Sequence, residues 1–73
     1  MAAIEIKTEV TGKVWKIVLQ PGATVAVDDE ILILESMKME IPVVAPAAGM
    51  LKEIKVAEGD SVAEDDVVAI VDA

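Results

Sequence analysis

Ile31-Leu32-Ile33-Leu34, Glu35-Ser36-Met37-Lys38-Met39-Glu40 and Ile41-Pro42-Val43-Val44 follow one another without a gap near the middle of the 73-residue chain. The two outer runs are short, apolar and rich in β-branched residues, so they read as strands, and the residues between them as a tight hairpin turn. A two-residue turn of the primed kind needs φ > 0 at its central positions, which Asn-Gly or Asp-Gly supplies with least strain. Here the tip falls on Met37 and Lys38, and two thioethers beside an ammonium depart from the polar-turn pattern. On its own Lys38 reads as a solvated loop lysine. A local rule broken with no structural gain marks a candidate functional site instead.

Outward from the hairpin, the chain repeats itself. A shift of 37 residues aligns the halves without a gap: Gly12 with Gly49, Gly22 with Gly59, Val25 with Val62, Asp28-Asp29 with Asp65-Asp66. Apolar positions follow the same shift, as Val14 with Leu51 and Leu34 with Val71. Each half reads as strand, long strand, short strand, strand: about 3–8, 12–19, 24–26 and 30–36, then 39–45, 49–56, 61–63 and 67–72. Pro21-Gly22 is set up for a type II turn, and Gly59 holds the matching place. The Asp pairs suit turns with left-handed backbone. The expected fold is all-β, a flattened eight-stranded barrel-sandwich of two four-stranded antiparallel sheets with a pseudo-two-fold repeat. One domain is expected over residues 1–73, with half-motifs about 3–36 and 39–73. The Lys38 hairpin should lie at one end and both chain termini near the other. Trp15, on the second strand, is expected in the core or covering an edge, with a docking surface as the alternative.

Composition removes several function classes. There is no Cys and no His, which excludes disulfides, thiol chemistry and the commonest general base and metal ligand. The acidic turns lack the spaced ligands of a calcium loop, so they read as solvated turns. Fourteen acidic residues against six lysines give a formal charge of −8, which opposes binding to nucleic acid and favours a soluble monomer. No apolar run approaches a membrane span, and Met1-Ala2-Ala3-Ile4-Glu5 lacks the regions of a signal peptide, so a cytoplasmic protein is expected. Nothing assembles a nucleophile with a base, and the chain reads as a substrate for other enzymes.

The Met37-Lys38-Met39 centre, after Glu35-Ser36 and before Glu40-Ile41-Pro42, resembles the attachment motif of biotinyl domains, the carriers of biotin-dependent carboxylases. With the internal repeat the resemblance to the biotinyl/lipoyl family covers essentially the whole chain. The family more often has Ala where Ser36 stands. Some members carry a thumb between the second and third strands; Leu19–Thr24 leaves no room for one, so the chain looks like the small thumbless attachment proteins.

The resemblance implies that biotin protein ligase acylates Lys38 with biotin. The lysine would then carry carboxybiotin from a biotin carboxylase site to a carboxyltransferase site. Lysine amines are almost wholly protonated at neutral pH, so activation is expected from the ligase. Met37 and Met39 fit adaptable apolar contacts for successive partners, or a shield for the hairpin. Glu35, Ser36 and Glu40 could contact partners; equally, the two glutamates could be solvated strand-end charges. Two other readings stand beside this one. A lipoyl carrier shares the fold and the lysine, though it typically has Asp-Lys-Ala at the tip. An unmodified barrel-sandwich interaction module would not need the lysine.

Overall fold

The computed structural model describes residues 3–73, and among them it contains eight strands and no helix. They are β1 (Ala3–Lys7), β2 (Gly12–Ile17), β3 (Thr24–Val25), β4 (Glu30–Ser36), β5 (Met39–Val44), β6 (Gly49–Ile54), β7 (Ser61–Val62) and β8 (Val67–Asp72). Two four-stranded antiparallel sheets run β1-β8-β6-β3 and β5-β4-β2-β7. Each sheet therefore takes two strands from each half of the repeat. The exchange is made by matched bonds. Val14 N–H donates to Asp60 O at 2.8 Å and Gly59 N–H to Val14 O at 2.7 Å; Leu51 N–H donates to Ala23 O and Gly22 N–H to Leu51 O at the same two lengths.

Alternation along the strands fills the space between the sheets, and the repeat holds there residue by residue. Ile6 and Val43, Val14 and Leu51, Val25 and Val62, Ile31 and Val68, Leu34 and Val71 are all buried, each 37 positions from its counterpart. Thr8 and Ala45 form a matching pair of unlike chemistry. The buried Thr8 hydroxyl donates to Val10 O at 2.9 Å and accepts from Val10 N–H at 3.2 Å, so its polarity is satisfied locally.

Four β-bulges interrupt the alternation, again in pairs. The β4–β5 register skips Ile31 and the β8–β1 register skips Val68, so Ile31-Leu32 and Val68-Ala69 both turn two consecutive side chains inward. The β2–β4 register skips Trp15, and the β6–β8 register skips Lys52. At these two positions the doubled residues face outward. Trp15 is 49% exposed, which corrects the expectation of a core or edge-covering residue. The ring is outside because the bulge gives it the same side as Lys16. The long strands also stop at Ile17 and Ile54, two residues short of their expected ends.

The turns follow the residues that permit them. Gly22, Asp28, Gly59 and Asp65 have φ of 98°, 70°, 94° and 71°. Each is the third residue of a turn whose fourth N–H returns to the first carbonyl: Ala23 to Gln20, Asp29 to Ala26, Asp60 to Ala57, Asp66 to Ala63. The acidic turns use their carboxylates as caps. Asp29 Oδ2 accepts from Ala26 N–H and Asp66 Oδ2 from Ala63 N–H, both at 2.9 Å. Asp29→Ala and Asp66→Ala should each lower stability by about 1 kcal/mol, and the double variant by nearly the sum. Urea denaturation of the three proteins checks this; unchanged midpoints would mean the caps contribute nothing.

The molecule is elongated, 35 × 19 × 18 Å. Ser36, at the end of β4, bonds to Thr11, and Thr11 bonds to Glu64 just before β8. β8 then runs away from that end to Asp72, which pairs with Ala3. The β4–β5 hairpin and the Ala3–Asp72 pair therefore occupy opposite ends. Met1 and Ala2, the rest of the N-terminal end expected there, lie outside the described residues.

Candidate attachment site

β4 and β5 pair from Glu30–Val44 up to Ser36–Met39, which leaves Met37 and Lys38 as a two-residue loop. Their φ values are 52° and 63°, the left-handed pair of a type I′ turn. Each non-glycine residue in that region carries strain of order 1 kcal/mol, accepted because the two strands over-determine the turn. Met37 is 92% exposed, Met39 is 65% exposed, and Lys38 is exposed between them.

The base of the hairpin is fixed. Leu34 is fully buried and pairs with Val14 on one side and Ile41 on the other. Ser36 Oγ donates to Thr11 O at 2.9 Å, and Thr11 Oγ1 accepts from Glu64 N–H at 3.3 Å. Gly12 lies so close to β4 that a Cβ there would stand 2.6 Å from the Glu35 carbonyl oxygen. Sequence reasoning missed these anchors. It read Ser36 as a small residue and a candidate partner contact, not as an internal tie to Thr11, and it matched Gly12 with Gly49 without seeing what either one touches.

The site residues share one hairpin, but they do not all share one face. Glu35 and Glu40 stand directly opposite each other across β4 and β5, both exposed. Like charges in that arrangement are destabilising, a second departure from local rules beside the tip. Lys7, Lys13, Lys16 and Lys52 lie along strands, and Lys55 follows β6. Among the described residues the one ion pair joins Lys55 Nζ to Glu53 Oε2 at 2.8 Å. That hydrogen bond and its charge hold the Glu53 carboxyl below the usual carboxylate range. Lys38 is thus the lysine carried at a turn, with its amine committed to no ion pair. A primary amine on a rigid, narrow projection suits amide-linked attachment of a carboxylic-acid cofactor.

Residues 2–71 match the biotin/lipoyl family, described as biotin-requiring enzyme. The chain belongs to that family. It is 45% identical over 62 residues to the biotin/lipoyl attachment protein of Bacillus subtilis, covering 85% of each chain. With the biotinylated protein TB7.3 homolog of Mycobacterium leprae it shares 35% identity over 69 residues, covering 94% of this chain and 97% of that one. The crystal structure of the Kluyveromyces lactis urea carboxylase contains the same biotin/lipoyl fold, with a TM-score of 0.93 and 35% identity. That match covers 97% of this chain and 6% of the carboxylase. The expected all-β sandwich of two four-stranded sheets is the observed one.

Proposed function

We propose that the chain is a biotin carboxyl carrier, with Lys38 as the residue that biotin protein ligase acylates. The observation that carries this reading is a single lysine at an exposed left-handed tip, held between two exposed methionines. Bound there, biotin would supply a ureido nitrogen able to take up and release a carboxyl group. The chain itself supplies position. Once the ligase has taken its proton, Lys38 Nζ would attack the biotin carboxyl activated by ATP as an acyl adenylate, forming the amide as the acyl–phosphate bond breaks and AMP leaves. The paired strands keep that amine clear of the sheet. Ser36 holds the hairpin base to the β1–β2 loop. Met37 and Met39 offer repackable apolar contacts to each partner in turn, and Glu35 and Glu40 face basic groups on them. Tethering raises the local concentration of the group to roughly the millimolar range at a biotin carboxylase and then a carboxyltransferase site. The carrier is non-catalytic, works in the cytoplasm and is monomeric as an isolated domain.

Intact-mass spectrometry after incubation with biotin protein ligase, ATP and biotin tests this. One biotinyl addition to the parent and none to Lys38→Ala is expected. Addition to the variant would put attachment on another lysine. A lipoyl carrier is the second reading, favoured by the name of the Bacillus subtilis relative, which pairs both cofactors. Labelling by a lipoyl ligase with none by the biotin enzyme would transfer Lys38 to lipoate. No labelling by either would leave an interaction module.

A further inference from the structure

The repeat makes one outer face of the sandwich a control for the other. On the sheet that bears the hairpin, the register sets Lys13, Glu35 and Glu40 in one outward row and Lys16, Ile33 and Pro42 in the next. Val44 stands opposite Glu30 beyond them, and the bulge adds Trp15 to the same side. Ile70 and Asp72 of the other sheet match Ile33 and Glu35 in kind, but four further positions carry charge in place of an apolar residue. Lys52 replaces Trp15, Lys55 replaces Val18, Glu5 replaces Pro42, and Lys7 replaces Val44. That second face is laced with charge, including the Lys55–Glu53 ion pair, to which Glu5 adds its field. The face beside Lys38 leaves three large apolar residues, Trp15, Val18 and Val44, between 36% and 49% exposed, whereas the other exposes Met50 alone, at 43%. Since the same backbone carries charged residues at each matching place, the fold does not require the apolar set.

We propose that this face is the seat of the enzyme that acylates Lys38, an inference that rests on the biotin reading above. The partner's contact is apolar where it meets Trp15 and basic where it meets Glu35 and Glu40. Their facing carboxylates gain most from an incoming cation. The acylating enzyme is the occupant because of reach. A bare lysine amine stands only about 6 Å beyond its Cα, given bonds of about 1.5 Å. An enzyme that must bring that atom into its centre has to press against the surface around the tip. Partners met after loading are reached by an arm roughly twice as long and can stand off. A three-residue tip is also far smaller than the roughly 800 Å² per partner of a specific interface. The adjoining sheet face supplies the remainder.

The test transplants the second half's residues onto the first. Trp15→Lys, Pro42→Glu and Val44→Lys are combined, with Lys52→Trp on the opposite face as control. Folding is checked by circular dichroism and thermal melting. With biotin protein ligase, kcat/KM for the transplant should fall at least about tenfold, mostly through KM, as expected for loss of an apolar anchor. The control should match the parent. Should the triple variant unfold, Trp15→Lys alone should still raise KM by about threefold or more. A folded transplant labelled with the parent's kcat/KM overturns the docking face and leaves the attachment reading standing. A parent that the ligase never labels overturns both.

Discussion

Exchanging the two tip residues, Met37→Lys with Lys38→Met, should reduce acylation by biotin protein ligase at least about hundredfold while leaving the fold intact. The swap keeps composition, charge and the number of thioethers. Both positions are exposed and both have left-handed backbone, at φ 52° and 63°. Neither residue is buried, so stability should stay within about 0.5 kcal/mol of the parent. What changes is the place of the amine. Consecutive Cα atoms lie about 3.8 Å apart, and in a tight turn the side chains on them leave in different directions. A misplacement of about 1 Å can already cost a hundredfold in a reaction that depends on a near-attack geometry. Intact mass against time, with a peptide map to locate any label, checks the outcome. Labelling of the swapped lysine within about threefold of the parent rate would mean the ligase takes any amine at the tip. Position in the turn would then carry no specificity.

The hairpin is legible in the sequence itself. Two apolar runs with six residues between them fix a turn, and only Met37 and Lys38 remain unpaired once Ser36 meets Met39. The repeat was legible for a similar reason. Gly22 and Gly59, and Asp28 and Asp65, hold the left-handed turn positions of both halves, and few residue types can. The bulges were not legible. A residue that adds one step to a strand leaves no mark of its own in the sequence, because Trp15 and Lys52 are as different as two residues can be. Their shared role appears only in the register, where each lacks a partner at the same point of its half. One skipped residue then moved Trp15 from an expected interior position to the surface. At the site, the motif pointed to Lys38 but not to the support beneath it, since Ser36, Thr11 and Gly12 come together only when β1–β2 folds against β4. The docking face lay hidden with the bulges, because without them the side each residue faces cannot be counted.

The glycines at the starts of β2 and β6 bear the largest expected effect on stability. Gly49→Ala would drive a Cβ into the Asp72 carbonyl, a collision with backbone that no side-chain rotation relieves. Asp72 ends β8, which pairs with β1 on one side and β6 on the other, so yielding there disturbs the middle of a sheet. A cost of about 2–4 kcal/mol is expected, a large share of what so small a core supplies. Gly12→Ala meets the Glu35 carbonyl in the same way at 2.6 Å, and should cost slightly less. Gly22→Ala is the counter-case. Nothing lies within 4 Å of its Cβ, and only the φ of 98° opposes it, so about 1 kcal/mol is expected. Denaturation midpoints should therefore fall in the order Gly22→Ala, Gly12→Ala, Gly49→Ala. Equal losses at all three would mean that backbone conformation, not contact, keeps these glycines. The two crowded positions also separate stability from presentation. Gly12 presses on the strand that ends at the Lys38 turn, whereas Gly49 presses on its counterpart at the other end of the molecule. At a temperature where both variants remain folded, Gly12→Ala should therefore slow acylation of Lys38 more than Gly49→Ala does, although it is the more stable of the two.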